Sequence, residues 1–475
     1  MPGQNQQSES RRSCNPAGFP DLYCYNVLIS TRADRFTYFS RVFGCQMNVA
    51  DVDDISARLN AYGGRRVETP EEADLVMVNT CMVRKKAEDK AMSFFGGLKH
   101  TLNTQGRRPF IVAMGCVIPR NQKKISETYP HIDLLVNYSD PDLVLSQLME
   151  HFELLSSAAL DDEFSPAMTT SIGTQNFVTA IRGCNHRCSF CVVPWARGPQ
   201  RDEPIAKIVE EAQAHELRGA PDVTILGQSI MAYGRSSGDG SQRFIEMMEA
   251  VLENTSFPWV RFLTSLACDM TDEICERIIA HPRITPLLHL PIQSGSDRVL
   301  TDMKRKHDVA TYRRMVAKAR AVRPDLYLTT DILVGFPTET EADYRETYAL
   351  MEEIGFDDAF MFAYSERPGT HSARHFPDLL SREVKIRRLS EIIELQRKTS
   401  AERSLRYIGQ ELEIIIEAVN PDGAIGRTSF NKPVYMPKTD KAVGEYSRAL
   451  IRGVRVSAFT GEEISVAHEA VPARV

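Results

Sequence analysis

From residue 37 to residue 364 short apolar runs alternate with helical patterns, and this alternation constrains the fold more than any other feature of the chain. Runs at 38–43, 75–78 and 110–114 predict strands. Helical patterns follow at 51–62, stopping at Gly63-Gly64, and at 84–98. Six further apolar runs, at 177–181, 223–226, 260–264, 287–290, 328–334 and 359–362, again alternate with helices. Such alternation predicts parallel sheets with helices on their faces. The expected class is therefore α/β. An N-terminal parallel-sheet domain spans 37–154, a linker 155–172, and a partial (βα)6 TIM-like barrel 173–405. A helix over 382–405 leaves the barrel, with Ile386, Leu389 and Ile393 as its buried stripe. Residues 406–468 change character: strands at 411–415, 434–436, 447–451 and 453–458, with a turn at Pro421-Asp422-Gly423, predict a small β-barrel.

Composition narrows the function classes. The net charge is −6, so contact with nucleic acid has to come from local basic patches. No apolar run reaches the roughly 18 residues of a membrane span. Residues 1–36 are polar, lack the apolar core of a signal peptide, and read as a disordered tail in which Cys14 and Cys24 are incidental. The cytoplasm is the expected compartment, and there ten cysteines argue for metal or catalysis rather than disulfides.

Cys184, Cys188 and Cys191 lie on one loop after the first barrel strand. Three thiolates spaced by three and then two residues can hold three irons of a cubane cluster and leave the fourth open to S-adenosylmethionine. A structural zinc site is the competing reading, but it wants a second nearby pair. Cys45, Cys81 and Cys116 form a different set, each directly following a predicted strand of the N-terminal sheet. The C-terminal ends of parallel strands lie along one edge, so cysteines far apart in sequence can meet there and hold a second cluster. Taken singly, each could be a buried core thiol. Cys268 and Cys275 read as packing residues.

The motifs carrying these cysteines resemble those of the radical-SAM methylthiotransferase family. Gly44-Cys45-Gln46-Met47-Asn48, Asn79-Thr80-Cys81 and Gly115-Cys116 match its three N-terminal cysteine motifs. The likeness continues through Leu226-Gly227-Gln228, His289–Asp297, Val334–Pro337 and Arg367–Thr370. The Gln-Met-Asn motif and the 83–90 segment resemble the MiaB branch, which acts on isopentenylated adenosine beside the tRNA anticodon. The resemblance implies two [4Fe-4S] clusters and S-adenosylmethionine, with Phe190 and Gln228 beside that cofactor. It implies transfer of a methylthio group to C2 of the adenine, with tRNA (the anticodon stem-loop), an electron-donor protein and a sulfur source as partners, and no membrane. A monomer is the default expectation.

The end barrel resembles a TRAM domain, an RNA-binding module. Between positions 427 and 455 it carries seven Lys/Arg against Asp440 and Glu445, so Arg427, Lys432, Arg452 and Arg455 are expected on phosphate. Tyr435 or Phe430 is expected to stack on a base. The chain departs from the family pattern at Ser229, at Leu266-Ala267 and at Asp202-Glu203. These departures leave two alternatives open: the same chemistry on a threonylcarbamoyl-adenosine or a ribosomal-protein aspartate, or an iron–sulfur RNA-binding protein without turnover.

Overall fold

The computed structural model describes residues 36–83, 85–136, 141–151, 173–235, 240–455 and 457–464. Its first sheet contains β1 (Phe36–Val42), β2 (Gly64–Arg66), β3 (Leu75–Thr80), β4 (Phe110–Gly115) and β5 (Leu134–Val136) in the order β2-β1-β3-β4-β5. All neighbouring pairs are parallel. The central strand β3 is buried along its whole length, as a strand covered on both faces requires. Tyr38, Leu75, Met77 and Val112 pack on one face of the sheet, and Phe39, Val76, Val78 and Ile111 on the other. Each such side chain contributes about 1.5–3 kcal/mol. β2 and β5 were not expected. Both are three-residue edge strands, and Gly64-Arg65-Arg66 offers no apolar signal.

The six expected central strands are all present. They are β6 (Phe177–Thr179), β9 (Asp222–Leu226), β10 (Trp259–Leu263), β11 (Leu287–His289), β12 (Tyr327–Val334) and β13 (Asp358–Ala363). A short antiparallel pair, β7 (Ile181–Arg182) and β8 (Arg201–Asp202), adds a clamp between β6 and β9. The partial barrel is not one continuous ladder. It consists of two parallel sheets, β10-β9-β6 and β11-β12-β13, joined through a bridge between Val260 and Ile284. Pro286, just ahead of β11, has no N–H to extend that seam.

The end barrel closes as β14-β15-β16-β18-β17, from β14 (Glu411–Asn420), β15 (Gly423–Thr428), β16 (Pro433–Met436), β17 (Tyr446–Arg455) and β18 (Ala458–Glu463). The strands expected at 447–451 and 453–458 are largely one strand, β17, whose register shifts against β18 between Ile451 and Gly453. β15, with two glycines in six residues, escaped notice.

The helix Arg382–Ser404 is rotated from the expected stripe. Ile386 is exposed, and the buried face carries Lys385, Arg388, Ile392, Leu395 and Gln396. Polar contacts set this rotation: Arg388 pairs with buried Glu339, and Gln396 donates to the carbonyl of Phe356. Phe36 already belongs to β1; the rest of the expected tail, with Cys14 and Cys24, and the linker at 155–172 lie outside the described residues. No helix among the described residues is long and apolar enough to cross a membrane.

Candidate functional site

The β7–β8 clamp holds the loop that carries Cys184, Cys188 and Cys191. Gly183 enters it at φ +73°, where a Cβ would come within 2.2 Å of the Pro199 carbonyl, so only glycine fits. The Val193 amide donates to Cys191 Sγ at 3.4 Å, and Arg305 donates to Cys188 Sγ at 3.5 Å. Both contacts favour a thiolate. Burial pushes the Cys184 thiol up to about 11 and the Cys191 thiol up to about 12. Metal binding there must therefore release protons.

The second set assembles from three strand ends. Cys81 follows β3, Cys116 follows β4, and Cys45 caps the N-terminus of the helix Gln46–Ala61. That helix begins five residues earlier than the sequence pattern indicated, and the Cys45 thiol lies 3.9 Å from Asn48 Oδ1 in its first turn. Gly44 permits the approach: a Cβ on it would stand 3.0 Å from that of Cys81 and 2.5 Å from the Asn48 amide. Burial, and then the neighbouring Cys81 and Cys45, push the Cys116 thiol up to about 11, so the three sulfurs share one electrostatic site.

Sequence reasoning missed the cations. Arg197, buried, donates to Asp51 Oδ2 at 2.8 Å and to Asn48 Oδ1 at 2.6 Å. Burial alone would lower its pKa, but Asp51 and the thiols of Cys116 and Cys45 raise it. Arg182 also reaches Asp51, at 3.3 Å. Thus the partial barrel supplies the countercharge for the cysteines of the N-terminal sheet. Arg197 lies six residues past Cys191, and nothing in its local pattern pointed at Cys45.

Both sets open on one cavity of about 970 Å³, lined by Cys45 and Cys81 and by Cys184, Cys188 and Cys191. Phe190 and Gln228 lie in its wall. Cys116 stands behind, buried. The eight cysteines among the described residues are all free. Two sets of three thiols, each with a cation beside it, suit anionic thiolate clusters.

One departure from the family pattern, Ser229, joins a brace around Asp269. Asp269 accepts from Ser229 Oγ at 2.8 Å, lies 2.7 Å from His186 Nε2, and pairs with Arg235 at 2.6 Å. Burial opposes its ionisation, yet His186, Arg235 and Ser229 hold its carboxyl below the usual range. His186, Cys268 and Asp269 bring ligand-type atoms within 4.8 Å of one another. With Arg235 on the carboxylate, that cluster reads as a hydrogen-bonded brace and not as an ion site. Asp202 accepts from the Gly234 amide, and Glu203 pairs with Arg182 and Lys207. Cys275 is core packing, as expected.

Two of the expected phosphate contacts are spent inside the molecule. Arg427 is buried between Asp222 and Glu417, and Lys432 is buried with its amine on Ser404 Oγ at 3.0 Å. Phe430 is likewise buried, stacked between Tyr327 and Tyr407. These residues dock the end barrel on the central strands, because burying a docking face recruits whichever charges can pair across it. Arg452 and Arg455 are exposed, Arg452 beside Glu462 at 3.1 Å, and Tyr435 is exposed too.

Comparison with known proteins follows the same division. A model of the radical SAM superfamily matches residues 178–351, and one described as uncharacterized protein family UPF0004 matches residues 37–137. A tRNA-2-methylthio-N(6)-dimethylallyladenosine synthase of Phocaeicola vulgatus is 36% identical over 450 residues, covering 92% of this chain and 97% of the relative. One from Thermus thermophilus is 38% identical over 407 residues, covering 84% and 86%. In fold, the chain is similar to the radical S-adenosylmethionine methyltransferase TsrM from Kitasatospora setae, solved with cobalamin and a [4Fe-4S] cluster. The TM-score is 0.53 at 11% identity, over 72% of this chain and 74% of that one.

Proposed function

The chain belongs to the radical-SAM methylthiotransferase family, and on that premise we propose that it adds a methylthio group to C2 of N(6)-isopentenyladenosine beside the anticodon of tRNA. The observation that carries this reading is the opening of both cysteine sets on one cavity. When bound, two [4Fe-4S] clusters and S-adenosylmethionine supply the electron, the radical and the sulfur.

The protein's own residues do the rest. Cys184, Cys188 and Cys191 would hold one cluster, and Cys45, Cys81 and Cys116 the other. Arg305 and Arg197 would set positive charge beside the two thiolate sets. Phe190 and Gln228 line the cavity and are assigned to S-adenosylmethionine. Adenine C2 reaches the space between the sets only if the base leaves its stack and enters the cavity. Arg452, Arg455 and Tyr435 face outward for the RNA. A cytoplasmic location, a separate electron-donor protein and a separate sulfur source complete the reading.

The test is anaerobically reconstituted protein with S-adenosylmethionine, reductant and an isopentenylated anticodon stem-loop, followed by nucleoside mass spectrometry. The expected product is the 2-methylthio nucleoside. Turnover of a threonylcarbamoyl-adenosine stem-loop instead would overturn the acceptor assignment.

A further inference from the structure

Strand registers set one apolar row across four neighbouring strands of the central half-barrel. Leu226 of β9 pairs with Leu263 of β10. Across the seam between the two sheets, Leu263 packs against the apolar cluster that contains Leu287 of β11 and Tyr327 of β12. Leu287 in turn pairs with Tyr327 of β12. All four residues line the cavity, and Phe430 of the end barrel stacks on Tyr327 at 4.7 Å and closes the row from below.

Toward the mouth the inward positions change character. Two residues up stand His289 and Thr329, hydrogen-bonded at 2.9 Å. Above them Asp331 and Phe360 pair across β12 and β13. Inward layers of a parallel barrel are normally bulky apolar side chains that meet and fill the axis. Here they surround open space instead, with an apolar floor and a polar, aromatic middle.

That gradient suits a ligand made of a polar ring with an apolar branch at one end. Resting on the function proposed above, we infer that Leu226, Leu263, Leu287 and Tyr327 seat the N6 substituent of the acceptor adenosine, with the purine held above them between Phe360 and Asp331. A neutral five-carbon branch gains by leaving water for this floor. A threonylcarbamoyl branch would have to take its carboxylate out of water onto the same leucines, a cost that Asp331 and Asp358 of the cavity wall raise and Lys432 and Arg305 lower.

The test compares kcat/KM on two stem-loops, one with isopentenyladenosine and one with plain adenosine at the acceptor position. Leu263→Gln puts an amide into the floor, and Leu263→Phe fills it without adding polarity. Each should cut the preference for the prenylated acceptor ~10-fold, within the range one apolar contact commands. The ratio is insensitive to how much of a preparation is folded or cluster-loaded, since both acceptors meet the same sample. A ratio within twofold of the parent in both variants would overturn the assignment, and so would a rise in the KM of S-adenosylmethionine with the ratio unmoved. If the parent protein methylthiolates neither stem-loop, the functional reading itself fails and the seat falls with it.

Discussion

The two cysteine sets solve one problem in opposite ways. Cys184, Cys188 and Cys191 sit on a single loop, clamped by β7 and β8, and their nearest cation, Arg305, belongs to the same half-barrel. Cys45, Cys81 and Cys116 come from three strand ends, and Arg197 reaches them from another part of the chain. A loop can present its thiols as soon as its strand forms. The dispersed set exists only once the sheet has ordered and the half-barrel has docked on it. The contrast teaches that the dispersed set depends on the half-barrel, while the reverse dependence is weaker.

The sharpest way to break this comparison is substitution within each set. Cys184→Ala, Cys188→Ala or Cys191→Ala should abolish both 5′-deoxyadenosine and methylthio product. Cys45→Ala, Cys81→Ala or Cys116→Ala should abolish the product while S-adenosylmethionine cleavage continues, and reconstituted iron should drop from about eight to about four per chain. Wild-type product from Cys81→Ala would make the dispersed set ordinary core thiols.

Arg197→Ala tests the dependence itself. Removing one of the two arginines on buried Asp51 should cost up to about 3–5 kcal/mol, the remaining Arg182 at 3.3 Å offsetting part of the loss. Chemical denaturation should show that loss, and iron analysis should show the N-terminal site emptied first. If the Cys184 set lost its iron first, the order of dependence would be reversed.

A smaller effect separates the docked face of the end barrel from its exposed one. Arg452→Ala and Arg455→Ala should each reduce the slope of log affinity for tRNA against log salt by about 1. Arg427→Ala should loosen the barrel's docking on Asp222 and leave the slope little changed. Equal slope changes for all three would place Arg427 on the RNA.

The smallest effect is one of pH. Burial lowers His215 and His307 from 6.5 to about 4 in the folded chain. A group depressed on folding stabilises above its unfolded pKa and loses that contribution as pH falls. Acidification from about 6.5 to 4 should therefore weaken the half-barrel, which carries both histidines. Hydrogen exchange should quicken in β9–β13 before β1–β5; the opposite order would contradict it.

The strand ends that hold Cys45, Cys81 and Cys116 were legible because apolar runs such as Leu75–Thr80 announce buried parallel strands, and a cysteine directly after each run needs no further signal. The edge strand Gly64–Arg66 was not legible, because an edge strand need bury nothing. Ile386, Leu389 and Ile393 looked like a buried stripe, yet the helix turned to satisfy Arg388 and Gln396. Periodicity counts apolar side chains and cannot weigh a hydrogen bond to a partner 40 or more residues away.

Charge divides along the same line. Arg427, Lys432, Arg452 and Arg455 read alike as letters in a basic stretch, and docking then buried two of them against Asp222 and Ser404 while two stayed exposed. Thiol chemistry belongs to the residue and its immediate neighbours, so the candidate metal-binding cysteines could be proposed along the chain. The role of a charge depends on what lies within a few ångströms and on how much water remains. Arg197 beside Cys45, and the leucine row beneath Phe360 and Asp331, came into being only when separate elements packed together.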